Sequence, residues 1–164
     1  MRNLTQYANE CMKMLDALHI KYAPVKAFCV NTRATGRWGI CKKQGNAFII
    51  EISSVLLDER NPEQALVETI LHELLHTCYG CQNHGARWKS YAAKVNQAYG
   101  LNIKGRNSAE EKGIVVETRA KKIAHKFRCE SCGAVVERQR ESAFTKNYRA
   151  YRCSRCGGKF EKLF

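Results

Sequence analysis

The segment Glu68-Thr69-Ile70-Leu71-His72-Glu73-Leu74-Leu75-His76-Thr77 decides how this chain is organised. Apolar residues recur in and around it at steps of three and four, which predicts an amphipathic helix. Residues four apart lie on one helix face, so His72 and His76 present two imidazoles side by side. This spacing predicts a zinc site. Glu73 can then act as general base on a metal-bound water without being a ligand itself.

The predicted limits of this helix are set by residues with strong positional preferences. Asn61 is a suitable N-cap, Pro62 suits the first helical position, and Gly80 is a natural stop. The alternative is a core helix that carries two flanking histidines, because the H-E-x-x-H pattern alone is not specific.

A third histidine lies eight positions beyond His76. Gly80 and Asn83 provide turn residues before His84, and a second amphipathic helix with Trp88 on its apolar face follows. Two antiparallel helices joined by a short loop would bring His84 to the other two imidazoles. That arrangement supplies three protein ligands and leaves the fourth zinc position to water, as in a catalytic site. Alternatively, His84 is only the first residue of the second helix.

The segments before the metal helix predict the rest of a small α+β domain over residues 1–100. A helical stripe runs from about Leu4 to His19, and strands are predicted at Val25–Asn31, Arg37–Lys42 and Ala47–Ile52. The turn residues between these strands favour a three-stranded meander. We therefore expect an α+β domain with helices packed on a three-stranded sheet.

The C-terminal part predicts a linker and a zinc ribbon. Residues 101–125 are polar, basic and punctuated by glycine, as is typical of a linker. Within residues 126–164, Cys129-x-x-Cys132 and Cys153-x-x-Cys156 form two knuckles that can close a four-thiolate structural zinc site. Segments 134–140 and 148–152 can pair as strands. The chain is thus predicted to hold one catalytic and one structural zinc ion.

The charge distribution predicts a partner with dense negative charge. The net charge is +13, and residues 101–164 contribute 16 basic against 7 acidic side chains. Nucleic acid is the predicted partner, with single strands as one candidate, because cations can contact phosphate while rings stack on unpaired bases. Alternatively, the charges are a solvated surface, or the ribbon docks a protein. The predicted contact residues are Arg138, Arg140, Lys146, Tyr148, Arg149, Arg152 and Arg155.

Cysteine usage and hydropathy predict a cytoplasmic monomer without a membrane segment. The chain has nine cysteines, no leading signal pattern and no apolar run that approaches 18 residues. Metal ligation in a reducing compartment fits these cysteines better than disulfides do. Cys78 and Cys81 form a further C-x-x-C, which we interpret as buried structural thiols; a redox pair or rival metal site is the alternative.

An ordered set of motifs resembles the SprT-like zinc metallopeptidase family. The set consists of Asn31-Thr32-Arg33, Gly36-Arg37-Trp38-Gly39, the segment 69–76, and His84-Gly85-x-x-Trp88-Lys89. The resemblance covers roughly residues 5–100, and a C-terminal ribbon fits members that carry one. It implies a small zincin-like metallopeptidase fold in which His72, His76 and His84 bind zinc and Glu73 is catalytic. The insertion before His84 is short compared with Spartan-like members.

The family resemblance implies a zinc-dependent endopeptidase that acts on DNA-associated or DNA-crosslinked proteins, with the ribbon contacting DNA. Arg37 and Tyr79 are candidate donors to the oxyanion of the tetrahedral intermediate. Two other classes of function stay open from the sequence. One is a non-enzymatic zinc-containing factor that binds nucleic acid or docks a protein partner, and the other is a zinc hydrolase acting on a non-peptide bond.

Overall fold

A computed structural model describes residues 1–106, 108–115 and 122–164. The chain divides into two compact units, Met1–Val116 and Glu117–Phe164. Each unit contains a three-stranded sheet, and helices cover the sheet of the first unit. The predicted α+β class, with a three-stranded domain followed by a four-cysteine unit, is confirmed.

The first unit begins with helix α1, Leu4–Ala17, which is slightly shorter than predicted. The Asn3 side chain caps it by accepting a hydrogen bond from the Gln6 backbone N–H at 3.2 Å. The buried face of the helix consists of Leu4, Ala8, Cys11 and Leu15. These positions follow the helical period and anchor the helix to the core.

The sheet contains β1 (Val25–Asn31), β2 (Gly39–Gln44) and β3 (Ala47–Ser53) in the order β1-β3-β2. β3 pairs parallel with β1 and antiparallel with β2, so the predicted meander is wrong. The β2–β3 hairpin is tight, but the seven residues 32–38 carry the chain past the position that β3 fills. The most apolar strand thereby becomes central, with Ile50 and Ile52 fully buried.

The short loop between β1 and β2 is fixed by side chains of the strands. The Asn31 side-chain oxygen accepts hydrogen bonds from the backbone N–H groups of Arg33 and Ala34, both at 3.0 Å. The Ser53 hydroxyl donates to the Ala34 carbonyl at 2.5 Å. These bonds hold the crossover that delivers Gly39 to the start of β2.

Three helices follow the sheet: α2 (Ser54–Leu57), α3 (Glu63–Leu75) and α4 (Ala86–Tyr99). α3 is shorter than predicted at both ends. Pro62 rather than Asn61 is its N-cap, because the Asn61 side chain instead donates to the Val55 carbonyl at 2.8 Å. Its last residue is Leu75, well before Gly80, so His76 is the C-cap.

Residues of the predicted linker extend the first unit. Ile103 and Ile114 are buried in the core of the first unit. The Val115 backbone N–H donates to the Asn61 side-chain oxygen at 2.7 Å. Residues 107 and 116–121 of the predicted linker lie outside the described residues.

The second unit is a small sheet with the order β5-β4-β6, built from β4 (His125–Cys129), β5 (Val135–Arg138) and β6 (Phe160–Lys162). The predicted strand at 148–152 is wrong, since Tyr148–Ala150 is a 3₁₀ turn after the one-turn helix α5, Ala143–Lys146. The third strand comes from the last residues instead. In the part of the chain that is described, no helix has both the length and the hydropathy to span a bilayer.

Candidate active site

Three imidazole nitrogens converge at the end of α3. The Nε2 atoms of His72, His76 and His84 lie 3.0–3.3 Å from one another. Zinc–nitrogen distances of about 2.0–2.1 Å place three nitrogens of one tetrahedral ion about 3.3 Å apart. The donor set therefore fits a single zinc ion. His72 lies in the last turn of α3, His76 is its C-cap, and His84 comes from the loop just before α4.

Backbone carbonyls orient two of these rings. Nδ1 of His72 lies 3.0 Å from the Lys104 carbonyl oxygen, and Nδ1 of His76 lies 2.8 Å from the Cys81 carbonyl oxygen. A carbonyl can only accept, so each Nδ1 carries the proton and each Nε2 keeps its lone pair for a metal. The loop between α3 and α4, which contains Cys81, and the segment after α4, which contains Lys104, thus orient the ligand rings.

Trp88 of α4 forms the apolar wall of the site. Its ring lies 4.8, 5.7 and 4.6 Å from the rings of His72, His76 and His84, and it is 1% exposed. Burial, together with the other two imidazoles, lowers the pKa of His72 to about 3. Burial also lowers the pKa of His84. Neutral rings are the form that binds a metal.

Glu73 lies buried between α3 and β2. Burial raises the pKa of its carboxyl to about 7, while a hydrogen bond from the Cys41 backbone N–H and the charges of Arg37 and Lys112 act in the opposite direction. A Cβ atom at Gly39 would lie 2.7 Å from Cγ and Oε1 of Glu73. Glycine at the start of β2 therefore makes room for this carboxylate.

An open cleft of about 330 Å³ runs beside His72 and Glu73. Residues from the β1–β2 loop line one side, including Arg37 and Trp38, and residues that follow α4 line the other. Of the two candidate oxyanion donors, Arg37 lines this cleft. Tyr79 is 87% exposed and lines a separate groove with Tyr22 and Phe48.

The C-x-x-C in the connector after α3 is buried. Cys78 and Cys81 are 1% and 0% exposed, and burial raises the pKa of both thiols, that of Cys78 to about 12. Thiols that are protonated and shielded from solvent are poor nucleophiles. This environment agrees with the interpretation that they are structural.

The four thiols of the second unit also form a cluster. Sγ of Cys129 lies 3.4 Å from Sγ of Cys156, and Sγ of Cys132 lies 3.7 Å from Sγ of Cys153. All four sulfurs lie within 4.8 Å of one another. Zinc–sulfur distances of about 2.3 Å place the sulfurs of a tetrahedral site about 3.7 Å apart. This set fits a second, fully protein-ligated ion.

The predicted nucleic-acid contacts are divided between a groove and the remaining surface of the second unit. A groove of about 470 Å³ is lined by Tyr148, Arg149 and Arg152 together with two further cations, Lys159 and Lys162. The Tyr148 ring also packs on Phe127 at 5.1 Å, so it belongs partly to the core. The other predicted residues, Arg138, Arg140, Lys146 and Arg155, are exposed but are not among the groove-lining residues.

The family model of the SprT-like family matches residues 8–108 of this chain. The chain belongs to the SprT-like family. The resemblance predicted from the motifs is thereby confirmed, and the match includes His72, Glu73, His76 and His84. The second unit lies beyond the SprT-like match.

A curated protein with a similar segment is the DNA-dependent metalloprotease SPRTN of Danio rerio, at 32% identity over 97 residues. The aligned part covers 54% of this chain and 14% of that protein. The SprT-like chain therefore spans a small fraction of this relative's length.

Three contributions to the site could not be identified from motifs. The Lys104 carbonyl, the space at Gly39 and the cation of Lys112 in the cleft all depend on contacts between distant parts of the chain. Of the three, only the space at Gly39 had a sequence signal. Gly39 follows Trp38, and a glycine in a strand can mark a place where another group approaches the backbone closely.

Proposed function

We propose that the first unit is a zinc-dependent endopeptidase and that the second unit directs it to DNA-associated or DNA-crosslinked proteins. The observation that carries the proposal is the convergence of three Nε2 atoms within 3.3 Å beside a buried glutamate. Membership in the SprT-like family and the name of the metalloprotease relative support the same activity.

The residues of the site have distinct roles in this mechanism. His72, His76 and His84 would hold the zinc ion, which supplies Lewis-acid polarisation of the attacking water and the scissile carbonyl. Glu73 would accept a proton from that water and return it to the nitrogen of the leaving amine. Arg37, in the same cleft, is the proposed donor to the oxyanion.

The open edge of β2 is the proposed support for an extended substrate. β2 lies at the edge of the sheet, and its first residue, Gly39, lines the cleft. An unpaired strand edge can bind a peptide by adding a strand, which places the peptide backbone at a defined distance from Glu73. Because strand addition requires an extended peptide, it favours an unfolded or flexible segment of a protein as substrate.

The activity is tested with Glu73→Gln, a substitution that keeps the shape of the side chain and removes its basicity. The wild type, loaded with zinc, is expected to digest casein and a DNA-crosslinked protein, and single-stranded DNA is expected to stimulate it. The variant should retain both zinc ions, measured by mass spectrometry of the metal content, and lose about 100-fold or more of the cleavage rate. Undiminished cleavage by the variant would refute the role of Glu73.

The same digestion separates the enzyme from the alternative functions. A non-enzymatic binding factor would bind zinc and DNA but leave every protein substrate intact. A hydrolase of non-peptide bonds would be recognised when zinc-dependent hydrolysis of small esters or amides occurs without proteolysis.

The proposed DNA surface is the basic groove of the second unit. Arg149, Arg152, Lys159 and Lys162 line it, although Glu130 and Glu161 line it as well. Glu161 is paired with Arg128 at 2.7 Å, which neutralises part of this acidic charge. The cations could contact phosphates without reading sequence.

The DNA contact is tested by the salt dependence of oligonucleotide binding. Arg149→Ala and Arg152→Ala should each weaken binding of a single-stranded probe, and each lost phosphate contact should reduce the slope of log K against log salt by about 0.7. Lys13→Ala on the exposed face of α1 is the control. Fluorescence anisotropy at several salt concentrations gives the slopes, and binding that is insensitive to salt would contradict the proposal.

A further inference from the structure

The segment after α4 is built into the candidate metal site although its composition resembles a linker. We call residues 101–106 and 108–115 the strap. The Lys104 carbonyl oxygen of the strap lies 3.0 Å from Nδ1 of His72. Gly105 lies against His84, since a Cβ atom at position 105 would be 3.1 Å from Cγ of that ring. The strap therefore contacts two of the three imidazoles.

The first part of the strap is anchored to both helices of the site. Backbone groups of Ile103 exchange two hydrogen bonds with the Asn96 side chain of α4, at 2.8 and 3.1 Å. The Asn102 backbone N–H donates to Oε1 of Glu68 on α3 at 2.8 Å. These bonds tie the two residues immediately before Lys104 to α3 and α4.

Lys112 anchors the second part of the strap to the same glutamate. Its Nζ lies 3.4 Å from Oε2 of Glu68, and the two side chains are only 8% and 6% exposed. Nζ also donates to the Thr69 hydroxyl at 3.2 Å. Glu68 lies one helical turn before His72, so a single buried carboxylate connects both parts of the strap to the helix that carries the ligands.

A buried ion pair is a poor way to gain stability, because desolvating two charges offsets most of their attraction. An apolar pair of the same size would hold the strap on α3 at least as well. The geometric precision of the hydrogen-bonded pair is what an apolar contact lacks. The pair also lies in the active-site cleft, which Glu68, Thr69 and Lys112 help to line.

We propose that Lys112 is a positioning residue for the metal site: through its ion pair with Glu68 it holds the strap so that the Lys104 carbonyl orients His72. The inference rests on the proposed function in so far as His72 is a zinc ligand. Groups that hydrogen-bond to a metal ligand typically contribute about 10–100-fold to metal affinity, and Lys112 acts through one of them, the Lys104 carbonyl.

The test is the zinc affinity of the histidine site in the full-length protein, measured by competition with a chelator. Lys112→Met removes the cation and retains most of the side-chain volume, and we expect it to weaken zinc binding about 10–100-fold. Lys13→Met, an exposed lysine on α1, is the matched control and should leave the affinity unchanged. The four-thiolate ion in the same molecule is an internal reference, since Lys112 belongs to the other unit.

The measurement is made at a temperature at which each variant is folded by circular dichroism. A residue that only stabilises the fold would then lower the melting temperature without changing the affinity of the folded site. Lys112→Arg, which keeps the charge, should restore most of the affinity. An unchanged affinity in folded Lys112→Met would overturn the proposal.

A double-mutant cycle tests the route through Glu68. Glu68→Gln keeps an acceptor for the Asn102 N–H and should weaken zinc binding to a similar extent. The double variant should weaken zinc binding clearly less than the product of the two single effects, because the two residues act as one pair. Strict additivity would overturn the proposed route. If Lys112→Met does not fold, the zinc affinity of Glu68→Gln decides the question. An unchanged zinc affinity in folded Glu68→Gln would refute the role of the ion pair.

These outcomes are distinct from those that test the proposed function. A wild type whose histidine site binds zinc but does not cleave protein would refute the peptidase and leave the positioning role of Lys112 measurable. Full cleavage together with unchanged zinc affinity in Lys112→Met would refute the positioning role and leave the peptidase intact.

Discussion

At the scale of single residues, the position of the Glu73 carboxylate depends on the absence of a side chain at position 39. A Cβ atom there would lie 2.7 Å from Cγ and Oε1 of Glu73, which is closer than real contacts allow. Gly39→Ala must therefore displace the carboxylate. A displacement of about 1 Å can cost about 100-fold in rate. We expect kcat/KM for peptide cleavage to fall by about that factor while the zinc content stays unchanged.

Gly36→Ala is the matched control for this substitution, because a Cβ atom at Gly36 meets nothing within 4 Å. Both glycines belong to the same approach to β2, so a general effect of alanine on the loop would reduce both activities. An equal loss in the two variants, or full activity of Gly39→Ala, would contradict the proposed spatial constraint.

The residues that converge at the site differ in how far the sequence could predict them. His72 and His76 were predictable because the helical period fixes their spacing, and His84 because a short loop limits how far it can lie from them. Gly39 and Lys112 act through contacts made across the fold. No local pattern could indicate that Lys112 pairs with Glu68, since 43 other residues separate them in the chain.

At the scale of elements, the helices and strands were predictable but the order of the strands was not. Each strand follows from local alternation and turns, whereas strand order depends on which strand is best buried when the helices cover the sheet. A connection of seven residues between β1 and β2 is long enough to pass over β3. The predicted meander instead required this connection to join two neighbouring strands. The central place of β3 is thus a tertiary effect.

The central position of β3 predicts where a truncation is most costly. Ile50 of β3 is fully buried, so Ile50→Ala should lower the free energy of unfolding of the first unit by about 2–5 kcal/mol. Val30→Ala on the edge strand β1, where the side chain is 42% exposed, should change it by about 0.5 kcal/mol or less. Urea denaturation with saturating zinc measures both. Similar losses in the two variants would contradict the observed strand order.

At the scale of the whole molecule, the two units obtain their stability from different sources. The buried apolar core of the first unit extends over α1, the sheet, α3 and α4. In the second unit, the buried core cluster among the described residues consists of Phe127, Cys129, Cys153 and Phe160. Two of these four are proposed zinc ligands. A unit of this size has little apolar core of its own.

Removal of zinc should therefore unfold the second unit and spare the fold of the first. Without the metal, the four thiols, which lie within 4.8 Å of one another, lose the metal–sulfur bonds that hold the knuckles together, and so small a core cannot replace that free energy. In two-dimensional NMR spectra, a strong chelator should collapse the amide signals of β4–β6 while those of α1 and β1–β3 stay dispersed. Cys132→Ser should have the same effect even with zinc present, whereas Cys29→Ser, at an exposed position of β1, should not. Dispersed signals from β4–β6 in the chelated protein would show that the second unit folds without metal, and its cysteines would then need another explanation.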